Sequence, residues 1–444
     1  MLIILIGSLL IFKEPHFFWD EGIYINNAKY IYSLGENSIY ENIRPPLLPL
    51  IIGLAIPLGL DIVIFSKIFL FLCFILALVF IYLISEKLKK DSGIFSTAIF
   101  FTSSLILFVL PHILTDFIVL TFMLIAFYFY ISKKYFWSGL FCGISVLFRF
   151  PAGIFLIILG LMLIEKDIKK TIKKGLYFGL GALIFILPYL ISNKMFFDSF
   201  FKPIINAQLI VAQGSLNLFS GAFFFIKVLL SQNLILLFII IFIILLIKKK
   251  IKIEYGYLLL IICAIYFIYF SQLPHYEDRY ILLLIPFGAI ISGIVCSYFI
   301  NLKKKLKFGF LIITTIYVLL VLFAIIKINN MSNNNTDILF LKEIGNLEAD
   351  YLFIYDPIAG IYFPKKLHYV VNPYYINIFF KERPEIKYMV VSEKLFNCNI
   401  QCMDCNNADQ CVEEEKLKNT LNESWEILKK HTLYGTNYYI YHKK

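Results

Sequence analysis

Asp20-Glu21 is an adjacent carboxylate pair that follows the first apolar run, Met1 to Phe12, after a short polar link. Beside a membrane segment such a pair must face water or do chemistry. Three further groups have the same character: Arg44-Pro45-Pro46; His112 and Asp116, with Arg149 further on; and His275, Glu277, Asp278 and Arg279, followed by Tyr280. A carboxylate held at a hydroxyl can take its proton as the oxygen forms a new bond. An arginine fork can neutralise a departing phosphate. Asp20 suits the first task, with Glu21 in support, and Asp116 either aligns the hydroxyl or shares a metal with the first pair. The last group is compatible with a diphosphate, a metal or a sugar.

Each group also has a bland reading. Acids are favoured at helix starts by the macrodipole, and an acidic pair next to a membrane helix can be a wet loop. The prolines after Arg44 suit a helix start, where a missing N–H costs nothing, and Arg44 itself can meet lipid headgroups. Arg149 lacks a partner nearby in the sequence, which calls for a spatial carboxylate or a phosphate. Four such groups on one face, separated by apolar helices, are more telling than any one alone.

The elements that must position them are set by composition. Of 444 residues, 60% are hydrophobic and 16% charged, with a mean hydropathy of +0.80, far from the soluble balance. Asn233 to Ile247, Tyr255 to Phe270, Tyr280 to Ile300 and Phe308 to Ile326 are long apolar blocks, several near the roughly 20 residues of a helical crossing. Helices satisfy their own backbone in lipid, so a polytopic all-α bundle is expected, with about eleven transmembrane helices and a range of roughly nine to thirteen. The net charge of +11 sits mostly in short connections: Lys87, Lys89 and Lys90; Lys133 and Lys134; Lys166, Lys169, Lys170, Lys173 and Lys174; Lys248 to Lys250 with Lys252; Lys303 to Lys305 with Lys307. The positive-inside rule makes these loops cytoplasmic, and no nucleic-acid partner is called for. Predicted helices then run over 93–111, 114–131, 136–149, 150–164, 175–192, 222–247, 255–273, 280–300 and 307–327. The loops at 111–116, 149–151, 193–221 and 273–279 fall outside, with everything after 328. Asp20-Glu21 joins them if residues 46–84, broken at Pro57 and Gly59, make one net crossing.

After about residue 328 the texture changes. An Asn-rich linker at 329–336 leads from a transmembrane domain, 1–327, to a small extracytoplasmic α/β domain, 328–444. Short strands are expected at 351–355, 367–371, 387–391 and 438–442, with helices at 337–344 and 413–421. Cys398, Cys402, Cys405 and Cys411 lie within fourteen residues and read as disulfides first, then a metal knot or free thiols, the pairing open. Cys73, Cys142, Cys263 and Cys296 read as packing residues in apolar helices.

The chain resembles the GT-C superfamily of multi-pass glycosyltransferases, close to the dolichyl-phosphate-mannose protein mannosyltransferase and aminoarabinose transferase type. The resemblance covers residues 1 to about 300. It rests on Trp19-Asp20-Glu21-Gly22-Ile23-Tyr24 with Ala28, on Arg44-Pro45-Pro46-Leu47, on His112-Ile113-Leu114-Thr115-Asp116, on the glycine-rich stretch Gly139 to Arg149, and on His275-Tyr276-Glu277-Asp278-Arg279-Tyr280. It implies that the acidic pair lies in the first external loop at the catalytic centre, and that Asp116 is a second functional carboxylate. It places Arg279-Tyr280 near donor phosphate; from their residue types, Arg44, Arg149 and His275 are further candidates for donor or substrate contacts. A metal held by Asp20 and Asp116, Mg or Mn, stays open. The implied donor is a polyprenyl or dolichyl monophosphate sugar, carrying mannose or a related hexose or pentose. The implied acceptor is a lipid, glycan or protein on the extracytoplasmic face of the cell membrane, glycosylated with inversion.

Two features depart from the common pattern. Arg44 stands where lysine usually precedes the double proline, which keeps the charge and changes its geometry. The run from His275 to Arg279 is closer to the His-Lys-Glu-Glu-Arg type of GT-C mannosyltransferases that extend lipid-linked or glycolipid mannans. The competing classes are a transporter or flippase of lipid-linked sugars, and a membrane scaffold with an external domain. A transporter favours charges near the bilayer midplane, whereas these charges gather at helix ends.

Overall fold

The computed structural model describes residues 2–12, 17–38, 40–212, 221–232, 235–273, 276–300, 351–354, 359–362, 366–368, 386–392, 419, 423–433 and 436–444. Its helices are α1 (Leu2–Ile11), α2 (Trp19–Tyr32), α3 (Leu47–Ile52), α4 (Ile62–Leu88), α5 (Gly93–Phe101), α6 (Ser104–Val109), α7 (Thr115–Ile131), α8 (Tyr135–Phe148), α9 (Ala152–Leu161), α10 (Ile168–Phe197), α11 (Lys202–Ala212), α12 (Ala222–Ser231), α13 (Ile235–Ile247), α14 (Gly256–Ser271), α15 (Ile285–Ile300) and α16 (Ala359–Tyr362). Short 3-10 turns occupy Gly53–Ala55 and Asp278–Leu283. The chain forms two compact units: residues 1–14, 42–48 and 66–331, and residues 15–41, 49–65 and 332–444.

In the first unit the helices pack through aromatic side chains. Phe74 meets Phe101 and Phe117 at 5.9 and 6.3 Å between ring centroids, and Phe287 meets Phe127 and Phe155 at 5.6 Å each. Thr121 donates to the Cys73 carbonyl at 3.2 Å, Phe80 lies 5.3 Å from Tyr128, and Lys87 donates to Ser132 at 2.7 Å. Sequence number rises together along both helices, so α4 and α7 run parallel and α5–α6 returns the chain between them. α8 runs back along α7: Phe129 stacks on Phe141, and Phe122 on Phe148. Asp116 and Arg149 therefore share one end of this helix pair.

Glycine sets the spacing of α8 against α10. A Cβ on Gly139 would lie 1.8 Å from the Phe178 carbonyl oxygen, and one on Gly181 would lie 2.1 Å from that of Phe136. Only backbone fits there, as in close helix crossings built on small residues.

Several predicted helices are divided. The 93–111 stretch breaks at Thr102-Ser103, and 222–247 breaks after Gln232. The two breaks meet: Gln232 Oε1 accepts Ser103 Oγ at 2.7 Å, Ser104 Oγ at 3.1 Å and the Leu105 N–H at 2.9 Å. Interrupted backbone in an apolar interior needs such partners, and side-chain amides supply them without a periodicity signal. The 280–300 stretch opens as a 3-10 turn before α15. The expected 193–221 loop contains α11. α10 starts earlier than expected, with Asp167 capping the N–H groups of Lys169 and Lys170, so lysines assigned to a loop form its first turns. Among the described residues, α4 and α10 are long and apolar enough to cross a membrane, and five helices of 10–17 residues are shorter and apolar. In the 46–84 stretch, the nine residues from Leu47 to Ala55 rise only about 14 Å, less than half the hydrocarbon thickness. The predicted 307–327 helix lies outside the described residues.

The second unit holds a five-stranded sheet of β1 (Tyr351–Ile354), β2 (Lys366–His368), β3 (Tyr388–Ser392), β4 (Trp425–Leu433) and β5 (Thr436–Lys443), ordered β2-β1-β3-β5-β4. β1 pairs parallel with β2 and β3, while β3–β5 and β5–β4 are antiparallel. β4 was not anticipated, because Lys429, Lys430 and a register shift at 427/429 obscure its alternation; charge and irregularity suit an edge strand. Met389, Val390 and Ile440 are buried in the sheet. The predicted helices at 337–344 and 413–421, and Cys398, Cys402, Cys405 and Cys411, lie outside the described residues, save Asn419.

Candidate active site

Asp116 and Arg149 meet in the first unit. Asp116 stands in the first turn of α7, where exposed N–H dipoles favour an acid. Pro151 disfavours helical backbone in the residue before it, and α8 stops at Phe148 with Arg149 as its extended C-cap. The Arg149 Nη1 and the Asp116 Oδ1 form an ion pair, with the two side chains 15% and 3% exposed. Such burial makes the pairing obligatory rather than incidental.

One aromatic ring lies against the arginine and is itself backed by others. Its guanidinium lies 5.5 Å from the Tyr280 ring centroid, within cation–π range. Tyr280 stacks on Phe270 at 5.6 Å, and Phe270 on Tyr266 at 5.9 Å. The Tyr266 hydroxyl donates to the Pro151 carbonyl at 3.2 Å, two residues beyond Arg149. Charge, ring face and backbone thus close one circuit around a single cation. Next to Tyr280, Arg279 is ion-paired with Glu277. His112 is buried, its ring 5.9 Å from that of Phe108. Arg44 is half-buried in the turn before α3, and His275 lies outside the described residues.

In the second unit, the acidic pair begins a helix rather than a wet loop. Glu21 is fully buried, and its Oε2 accepts the Phe18 N–H at 2.7 Å, which satisfies an orphan donor at the start of α2. Asp20 beside it stays partly exposed in the first turn. Asn27 exchanges two hydrogen bonds with the Glu41 backbone, Nδ2 to O at 3.1 Å and Oδ1 from N at 2.8 Å. Asn26 Oδ1 accepts the Ser38 hydroxyl at 2.8 Å. Lys29 Nζ donates to the carbonyls of Gly360 at 2.7 Å and Ile361 at 2.9 Å. Burial lowers the Lys29 pKa from 10.5 to about 8, against a smaller opposing pull from Asp61.

The donor set for a metal is not assembled among the described residues: no three or more His, Cys, Asp or Glu side chains gather, and the Asp116 carboxylate is engaged by Arg149.

The model of the Alg9-like mannosyltransferase family matches residues 33–377. The chain belongs to this family. The match takes in Arg44, Asp116, Arg149 and Arg279, and begins after Asp20-Glu21. No curated protein matches by sequence. Two solved structures are similar over nearly the whole chain. ArnT from Cupriavidus metallidurans bound to undecaprenyl phosphate has a TM-score of 0.70 at 11% identity, covering 99% of this chain and 96% of that one. The Archaeoglobus fulgidus oligosaccharyltransferase tethered with an acceptor peptide has a TM-score of 0.65 at 12% identity, covering 98% and 73%. These likenesses carry the fold, which is that of GT-C glycosyltransferases. This Alg9-like chain is a glycosyltransferase, with helices α4 and α10 long and apolar enough to cross a membrane.

Sequence reasoning about this Alg9-like protein missed three things. Phe18 at the N-cap concealed the capping role of Glu21, since a capping box is normally recognised by Ser or Thr there. Lys29 carries no local signal that distinguishes it from the other lysines of the chain. Lys67 is 5% exposed within α4, on the face of Leu70 and Phe74. A lone lysine in an apolar run was its available signal.

Proposed function

We propose that this protein transfers a sugar, mannose or a related hexose or pentose, from a polyprenyl or dolichyl phosphate to a lipid, glycan or protein acceptor on the extracytoplasmic face. The observation that carries this reading is the Arg149 guanidinium held by Asp116 and Tyr280 at the ends of apolar helices. A lipid-linked donor keeps its tail in the bilayer and presents its phosphate at that depth. A guanidinium has five N–H donors, more than one carboxylate can use, and its planar fork suits phosphate oxygens. The ion pair keeps the cation placed and compensated before a phosphate arrives. The neighbouring Arg279, and Arg44 at the head of α3, add positive charge of the kind a leaving phosphate requires. That one GT-C relative holds undecaprenyl phosphate and another an acceptor peptide supports both halves of the reaction.

In this reading the Asp20 carboxylate takes the acceptor proton as the acceptor atom attacks the anomeric carbon. The bond from that carbon to the phosphate oxygen breaks, and its electron pair leaves with the polyprenyl phosphate. Attack opposite the leaving group inverts the anomeric centre. Glu21 supports the helix that carries Asp20. The extracytoplasmic placement rests on the lysine-rich connections, which favour the cytoplasm.

The test is transfer of radiolabelled mannose from polyprenyl phosphate mannose to endogenous acceptors in membranes containing this protein. Asp20→Asn should reduce incorporation to background while the protein remains folded, and Arg149→Met should do so with a loss of stability as well. Full activity in a folded Asp20→Asn protein sinks the assignment. Movement of the labelled lipid across the bilayer with no new glycosidic bond would favour a flippase instead.

A further inference from the structure

We infer that residues 359–362 of the C-terminal region are a positioning element for the acidic helix, and that Lys29 is the positioning residue through which they act. The inference rests on the sugar-transfer reading above, which gives Asp20 its task.

The geometry lies within the second unit. α16 has only four residues, so its carbonyls have no following helical turn to accept from. Lys29 Nζ supplies two bonds, at 2.7 and 2.9 Å, to the carbonyls of Gly360 and Ile361. That is the C-terminal cation a helix end favours. The contact admits no side chain at residue 360: a Cβ there would lie 2.0 Å from Asn26 Oδ1 and 2.6 Å from Nδ2. Asn26 is itself held by Ser38. Two side chains on one face of α2 therefore grip the same four-residue segment, one by hydrogen bonds and one by close fit.

Helical geometry relates the grip to Asp20. Nine residues separate Asp20 from Lys29, which is about 900° of turn, placing the two on opposite faces and roughly 13.5 Å apart along the axis. Asn26 lies about 60° from Lys29 on the gripped side. Holding that side sets the rotation of α2 and so the direction in which Asp20 points. The Glu21 cap and the paired Asn27–Glu41 bonds hold the helix in length, but do not bind α16. α2 is largely buried, and withdrawing the Lys29 ammonium partly from water is a costly way to hold it; a well-packed apolar residue would serve stability at least as well. The cost is accounted for if direction, rather than stability, is what the contact secures.

The experiment uses the full-length protein in membranes with polyprenyl phosphate mannose as the probe. Lys29→Met should lower the maximal rate at least tenfold while changing the donor KM less than twofold. Hydrogen–deuterium exchange should rise over residues 17–32 and 359–362, and not over α7 or α8. Gly360→Ala should reproduce the loss of rate. Asn26→Ala combined with Gly360→Ala should recover part of it, because removing the amide makes room for the Cβ. The inference is overturned by an unchanged rate in folded Lys29→Met protein. It is equally overturned if rate and donor KM worsen together with global exchange, the signature of simple destabilisation. If the wild-type protein transfers no sugar yet Lys29→Met loosens only 17–32 and 359–362, the grip stands and the sugar-transfer reading fails.

Discussion

The Asp116 carboxylate is ion-paired with the Arg149 guanidinium, tying the first turn of α7 to the residue that ends α8. Because the pair is buried, removing either partner strands the other. Asp116→Asn or Arg149→Met should cost about 3–5 kcal/mol of stability, and the double variant less than the sum. Thermal unfolding of the four proteins in one detergent gives the coupling. Strictly additive losses would show that the pair does not operate as a unit.

Asp20 and Glu21 should separate in their effects, because one stays partly exposed and the other caps its own helix. Asp20→Asn should abolish transfer with little change in melting. Glu21→Ala should cost about 1 kcal/mol through the lost cap, whereas Glu21→Gln keeps an acceptor oxygen and should lose less. Incorporation of labelled mannose and melting temperature, measured side by side, distinguish the two roles.

Lys29 gives a pH signature. Its folded pKa of about 8 lies below the ordinary 10.5, so between those values the unfolded chain binds more protons than the folded one. The stability contributed by this group therefore rises with pH from about 8 to 10.5, and the cost of the buried ammonium is fully present below 8. The whole span amounts to a few kcal/mol. Relative to Lys29→Met, the wild-type protein should gain melting temperature between pH 7 and pH 10. A constant difference across that range would exclude the effect.

Gly139 is where α8 meets the backbone of α10, 1.8 Å from the Phe178 carbonyl at its missing Cβ. Gly139→Ala must push the helices apart and should cost about 1–3 kcal/mol. Arg149 rides at the end of the displaced helix, so donor affinity should fall as well. Donor KM and unfolding in the variant, against Gly153→Ala as a control with open space around its Cβ, test this.

Gln232 joins two broken helices through one carbonyl oxygen. Gln232→Leu would leave the Ser103 and Ser104 hydroxyls and the Leu105 N–H without that acceptor in an apolar interior, at about 1–3 kcal/mol for each group left unsatisfied. Faster hydrogen exchange over residues 102–110 than in the wild-type protein is the expected readout.

Much of the architecture was legible because it is local. Apolar blocks long enough for helices, and short alternating segments at 351–354, 388–392 and 436–443, follow from side-chain types within one element. The breaks at residues 102–103 and 232 did not show in this way, since they are stabilised by partners far along the chain, and β4 was hidden by its two lysines and its register shift.

Composition and patterning already mark the chain as rich in helices apolar enough for a membrane, with acids and arginines at helix ends. How those groups are used follows from packing alone. Asp116 meets Arg149 across 33 positions, Lys29 meets Gly360 across 331, and Glu21 turns back on its own helix start. The reason is physical. Periodicity reports which face of an element is buried, but a buried charge or carbonyl takes whichever partner the packing delivers, and that depends on the whole fold.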